Sequence, residues 1–173
     1  MIAILGAGPH GHQLAALHPH TTVTMYDDRL RGYEPVATGA RRHPWLVGAA
    51  WPTVRRHIAE KVDTPQAAYH RGRVIYPGAK VGHNVELGVH LHVQYNAVIS
   101  HGCRVGDFVT ICPGAVLSGE VTVEDDVFIG ANATVIHGGL TIGRGAIVGA
   151  GAVVIDNVPP GAVVAGVPAR RLR

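Results

Sequence analysis

Three histidines share one spacing. His83 and His101 are eighteen residues apart, and His137 follows after twice that interval with Gly119 midway. Residues at this interval lie over one another if the chain winds in coils of eighteen, which would line their side chains along one edge about 4.8 Å apart. Acyl transfer to an amine or hydroxyl needs a base that titrates near neutrality, and imidazole supplies one. His101 has the best setting, because Gly119 directly beyond it leaves space for a thioester and an exposed backbone N–H. That N–H could stabilise the oxyanion of a tetrahedral intermediate. Most of the twelve histidines are expected to be surface residues, so the shared edge is what singles these out.

A second chemical pattern opens the chain. Residues 6–11 read GAGPHG, a G-x-G-x-x-G after an apolar run. There glycines let backbone amides approach a phosphate near the positive end of a helix. Asp27 stands twenty-one residues after Gly6, where an acid can accept hydrogen bonds from a ribose or sugar hydroxyl. A tight β–α turn without ligand gives the same pattern. A full dinucleotide domain also needs a second βαβ half, for which about 64 residues leave no room, so NAD is not expected.

The elements that must position these groups have two different periods. From Ile75 an aliphatic residue recurs every six positions: Val81, Leu87, Val93, Ile99, Val105, Ile111, Leu117, Val123, Ile129 and Val135. The fifth positions, from Ala79 through Cys103 to Ala133 and then Gly139, are small or apolar. A period of six fits neither a helix nor one long strand, but it fits short strands separated by corners, three to a triangular coil, with aliphatics inside. Gly82, Asn84, Gly88, Gly106, Gly114 and Asn132 suit the corners, several with positive φ. The phase slips by one between Val135 and Ile142 and resumes at Val148 and Val154, which predicts a bulge or small loop. The N-terminal part reads as strands over 2–5, 22–26 and 45–49 with helices over 12–17 and 52–62. That is a βαβαβ-like half-domain with a parallel sheet. The expected division is 1–66 and 67–173.

Composition agrees with mostly β structure. Val (25) outnumbers Leu (10), and 47% hydrophobic against 16% charged residues excludes a disordered chain despite 23 Gly and 11 Pro. A net charge of +3 without a basic block argues against nucleic acid as a partner but leaves small anions open. The start, MIAILGAG, has no basic stretch and its apolar run breaks at Gly6. Neither a signal peptide nor a membrane span is expected. Cys103 and Cys112 have no motif spacing and fit a reducing cytoplasm.

The hexads, with IGANATVIHGG and the ending AGVPAR, resemble the left-handed β-helix acyltransferases. The resemblance implies a left-handed parallel β-helix, a homotrimer of such prisms, and acetyl-CoA bound between neighbouring subunits. Both halves together resemble the sialic acid O-acetyltransferase and UDP-amino-sugar N-acetyltransferase family, through GAGPHGHQLA, YDD, GYEPV and NAVISHGCRVGDFVTICPGAVLSG. Members join a small α/β Rossmann-like domain, which binds the sugar nucleotide, to the hexapeptide prism. By this resemblance Gly8, His10, Gly11, Asp27 and Asp28 are candidates for binding a UDP- or dTDP-linked amino sugar. His101 matches the family's proposed base in I-x-H-x-C-x-(V/I)-G, here Ile99 to Gly106. Thr110, Gly119, Ala131, Gly149, Pro168, Ala169 and Arg170 match positions that hold acetyl-CoA. Arg170, Arg171 and Arg173 could meet its phosphates, although a solvated tail is an equal reading for Arg173.

The resemblance therefore implies an acetyl-CoA-dependent N- or O-acetyltransferase with His101 as general base. No covalent intermediate is expected, because Cys103 takes an inward hexad position. One position departs from the pattern: related sugar N-acetyltransferases commonly place Glu after the base, where this chain has Gly102. Glu120, Asp107, an acid of a neighbouring subunit, or no partner at all remain open in its place. Two other classes compete. A zinc hydratase resembling the γ-type carbonic anhydrases would need a histidine pair five residues apart, which His83, His90, His92, His101 and His137 do not make, so no metal is expected. A non-catalytic sugar-nucleotide-binding protein would explain the missing Glu.

Overall fold

The repeating half winds into a solenoid with three flat faces. A computed structural model of the protein describes residues 73–172 throughout, together with the strands β1 (Ile2–Leu5), β2 (Val23–Tyr26) and β3 (Trp45–Val47). Chain contacts divide it into Met1–Gly72 and Arg73–Arg173, six residues beyond the expected boundary. In the first unit β1 lies between β2 and β3, parallel to both, and the strands end in register at Leu5, Tyr26 and Val47. The predicted strands start or stop within two residues of these bounds. The predicted helices over 12–17 and 52–62 lie outside the described residues.

In the second unit each hexad gives one short strand. The first face stacks β4 (Val74–Ile75), β7 (His92–Val93), β10 (Thr110–Ile111), β13 (Phe128–Ile129), β16 (Ile147–Val148) and β18 (Val163–Ala165). The second stacks β5 (Lys80–Val81), β8 (Val98–Ile99), β11 (Val116–Leu117), β14 (Thr134–Val135) and β17 (Val153–Val154). The third stacks β6 (Glu86–Leu87), β9 (Arg104–Val105), β12 (Thr122–Val123) and β15 (Thr141–Ile142). All these pairs are parallel, and the result is a left-handed solenoid of about 5 turns.

Alternation across each short strand turns the hexad's first residue inward, and Val93, Ile99, Ile111, Leu117, Ile129 and Val135 are fully buried there with Ala97, Cys103 and Ala115. Ile75 and Val81 depart from the expected interior: they are 48% and 38% exposed, because no described coil precedes theirs. Corners turn at the fourth position, where Asn84, Gly114 and Asn132 have positive φ as predicted. Gly82 and Gly106 do not. A Cβ at Gly82 would stand 2.8 Å from His101 N, and one at Gly106 would stand 2.8 Å from Asp125 N, so close approach of the next coil selects glycine there.

The phase slip is real in three dimensions. Val105 pairs with Val123 after eighteen residues, whereas Val123 pairs with Ile142 after nineteen. The extra residue is absorbed at Gly138 and Gly139, both with positive φ, just after His137. Beyond Val154 the coil shortens, and the chain closes on itself. Val153 N–H donates to Gly166 O at 3.0 Å, Ala169 N–H donates to Val153 O at 2.7 Å, and β19 (Arg170–Arg171) pairs antiparallel with β18.

Candidate active site

The second corner, between the second and third faces, carries the histidine column. His83 and His101 stack with ring centroids 5.5 Å apart and planes inclined by 11°. The His137 ring stands 6.4 Å from that of His101 on the other side, inclined by 50°. All three histidines are exposed, so the column is open to a ligand. Strands two residues long leave the backbone no freedom to stagger, which is why the side chains superpose coil on coil.

Gly119 is where expectation and structure part. A Cβ at this position would stand 2.6 Å from His101 Cε1 and 2.7 Å from Nε2, and 3.2 Å from His137 Nδ1. The missing side chain thus accommodates the imidazole of His101 rather than leaving an empty space for a thioester. Gly119 is itself buried, so its N–H is not the exposed group the sequence suggested. That N–H nonetheless makes no hydrogen bond to any described residue, whereas its neighbours Ser118 and Glu120 donate to Val135 O and His101 O. A buried amide without a protein acceptor is uncommon and calls for water or a ligand. The Gly119 carbonyl accepts a hydrogen bond from His137 Nδ1 at 3.1 Å. Since a carbonyl only accepts, Nδ1 carries the proton. Sequence reasoning put His137 in the column but missed this bond; the one-residue slip beside it was the available signal.

The carboxylates sort clearly. Asp107 sits at the third corner, where its Oδ1 accepts the Val89 N–H at 2.8 Å, so it is not the partner of His101. Glu120 is exposed and stacks over Gly102: a Cβ on Gly102 would stand 3.4 Å from Glu120 Cγ. No hydrogen bond or ion pair joins the Glu120 carboxylate to the His101 ring among the described residues; the two residues are tied only through Glu120 N–H and His101 O. Cys103 is fully buried, its Sγ donating to Ser118 O at 3.1 Å, and burial pushes its pKa up against weaker opposing hydrogen bonds from backbone amides. A buried thiol held as a donor is no nucleophile.

Of the coenzyme candidates only Gly119 lies against His101 in one chain. Ala131 and Gly149 lie half-buried at the first corner, between the first and second faces. Pro168, Ala169 and Arg170 belong to the closing segment, with Pro168 and Arg170 exposed. Thr110, in β10, is fully buried and has no surface to offer. Gly8, His10, Gly11, Asp27, Asp28 and Arg173 lie outside the described residues. Among the described residues no group of three or more His, Cys, Asp or Glu is placed to hold a metal, and no helix is long and apolar enough to cross a membrane.

The fold is that of the hexapeptide-repeat proteins. A family model described as bacterial transferase hexapeptide (six repeats) matches residues 102–137, and one described as hexapeptide repeat of succinyl-transferase matches residues 120–155. A serine acetyltransferase of Bacillus licheniformis is 38% identical over 124 residues, covering 67% of this chain and 55% of that protein. A GDP-perosamine N-acetyltransferase of Escherichia coli is 40% identical over 106 residues, 59% of this chain and 48% of that one. The chain thus spans about half the length of the curated relatives it matches. The crystal structure of PerB from Caulobacter crescentus, in complex with CoA and GDP-perosamine, superposes with a TM-score of 0.76 at 26% identity, covering 99% of this chain and 97% of that one. The chain is thus similar to hexapeptide-repeat acetyltransferases along its repeats and, in fold, along nearly its whole length.

Proposed function

We propose that the protein transfers the acetyl group of acetyl-CoA to a nucleotide-linked amino sugar, with His101 as general base. The observation that carries this reading is the exposed His101 imidazole lying over Gly119, whose amide has no acceptor among the described residues. The acceptor nitrogen attacks the thioester carbonyl carbon while His101 takes its proton. The Gly119 N–H, which meets no acceptor among the described residues, is the donor for the oxyanion. Collapse breaks the C–S bond, and the leaving thiolate recovers the proton from His101. The buried Cys103 supports direct transfer without an acyl-enzyme.

Acetyl-CoA is assigned to Ala131, Gly149, Pro168, Ala169 and Arg170 of a neighbouring copy, because these lie away from the corner that holds His101. An outer strip of half-buried Val98, Val116 and Val153 on the second face separates the two corners and supports contact between copies in a homotrimer. For the sugar nucleotide, the strand ends Leu5, Tyr26 and Val47 are in register with β1 central. This is the kind of sheet edge at which parallel α/β units bind nucleotides. Gly8, His10 and Gly11 follow the first of those ends in the sequence, and Asp27 and Asp28 the second. The relatives above direct attention to GDP-linked amino sugars as well as the UDP- and dTDP-linked ones. The free thiols of Cys103 and Cys112 favour the cytoplasm.

Thiol release from acetyl-CoA, measured with GDP-, UDP- and dTDP-linked amino sugars, tests the reading. His101→Ala is expected to lower kcat about a hundredfold or more. Full activity in that variant would sink the mechanism, and no release with any acceptor would leave a sugar-nucleotide-binding protein.

A further inference from the structure

We propose that His137 is a positioning residue of the acyl-transfer site: it holds the Gly119 peptide against which the His101 ring lies. The inference rests on the reading of His101 as the base. The peptide linking Gly119 to Glu120 is tied at both ends. Its carbonyl accepts from His137 Nδ1 at 3.1 Å, and its N–H donates to His101 O at 2.9 Å. Because the peptide is planar and trans, two such bonds fix its orientation. Glycine is the residue least able to hold an orientation unaided, so without His137 the chain on one side of this peptide would be free to turn. Any such turn shifts the surface under His101, whose Cε1 and Nε2 stand 2.6 and 2.7 Å from the point a Cβ of Gly119 would occupy.

The repeat itself is altered for this contact. Among the coils that follow His101, the one carrying His137 has nineteen residues in place of eighteen. Its extra residue falls immediately after the histidine, and Gly138 has a φ of +131°, which only glycine adopts without strain. The irregular corner lets the chain swing wide while the His137 ring turns back to the carbonyl of the coil before it. With Gly102 where the family resemblance implies a Glu, the His101 ring has no hydrogen-bonded partner among the described residues. Its orientation then depends on what it packs against: the His83 ring on one side and the Gly119 backbone held by His137 on the other.

Two measurements on the full-length protein test this: kcat and KM for thiol release from acetyl-CoA with GDP-perosamine as acceptor, and crystal structures, each for wild type, His137→Ala and His137→Asn. His137→Ala is expected to lower kcat about tenfold with KM for acetyl-CoA within about twofold. His137→Asn, whose amide N–H can reach the same carbonyl, is expected to recover most of the rate. In the crystals the Gly119 peptide should turn in the alanine variant and stay in place in the asparagine variant. Wild-type kcat in His137→Ala overturns the proposal, as does an unmoved Gly119 peptide there, or an asparagine variant that keeps the peptide in place yet is no faster than alanine. If the wild type releases no thiol with GDP-perosamine or with any other of the GDP-, UDP- and dTDP-linked amino sugars, the reading of His101 as base fails, and the crystal structures alone then decide the role of His137.

Discussion

The second and third corners of the solenoid share one backbone geometry and put it to opposite uses. At the third corner three amides are closed by carboxylates of an adjacent coil. Val89 N–H donates to Asp107 Oδ1 at 2.8 Å, Asp107 N–H donates to Asp125 Oδ1 at 2.9 Å, and Arg144 N–H donates to Glu124 Oε2 at 2.7 Å, with the Arg144 guanidinium on Asp125 at 2.8 Å. At the second corner the same hexad position carries imidazoles, and among the described residues none is bonded to a carboxylate and the Gly119 amide has no acceptor. One edge is satisfied internally and adds stability. The other keeps hydrogen-bonding capacity that no described residue uses.

The comparison breaks most visibly at Gly119. Gly119→Ala would place a methyl group 2.6 Å from His101 Cε1, so the ring must move off the backbone. The expected outcome is a loss of about tenfold or more in kcat, read by thiol release, with the melting temperature little changed because the exposed ring can swing outward. A fully active alanine variant would show that the ring does not work from this position. The matching change at the third corner should do the reverse. Asp107→Ala leaves the Val89 amide without its acceptor and should cost about 1 kcal/mol in urea unfolding, with catalysis within about twofold of wild type. Lost activity without lost stability would make the third corner part of the site.

The thiols sharpen the contrast between interior and edge. Burial pushes Cys112 up to about 11 and raises Cys103, against a reference of 9.0. Both thiols are protonated in the folded state where the unfolded chain would begin to ionise. Their contribution to stability is therefore complete below about pH 9 and, for Cys112, is lost as pH rises through about 11. Urea midpoints measured from pH 8 to 11 should fall, and Cys112→Ala should flatten that fall relative to wild type. An identical slope in the variant would mean that other groups carry it.

How far these differences can be read from sequence depends on whether they repeat. The hexad is a strict period, so Ile99, Ile111 and Leu117 announce both the coil and the inward face. The slip after Val135 locates the irregular corner to within a few residues. The column of His83, His101 and His137 follows from the same arithmetic. Contacts between residues at different hexad positions do not. Nothing periodic says that the His101 ring fills the space over Gly119, that Asp107 faces an amide at another corner, or that His137 folds back on a carbonyl. Those depend on rotamers and on which corner a given residue reaches. Thr110 illustrates the same limit: its place in the motif marked it for the coenzyme, whereas the structure buries it.

Glu120→Gln has the smallest expected effect and bears most directly on the missing carboxylate. Gly102 and Glu120 occupy the same hexad position on adjacent coils, with φ of +66° and +65°. The Glu120 side chain therefore starts directly over the place where the family resemblance implies an acid after the base, and it reaches within van der Waals distance of where that side chain would begin. Proximity of this kind is insufficient, because a carboxylate assists an imidazole by accepting its N–H, and no such bond joins Glu120 to His101. An exposed charge without direct contact is screened by solvent. Replacing it with an isosteric amide should leave both kcat and its pH profile within about twofold of wild type. A clear change in the pH profile would instead place Glu120 on the base during turnover, and the second corner would then resemble the third in using a carboxylate from the next coil.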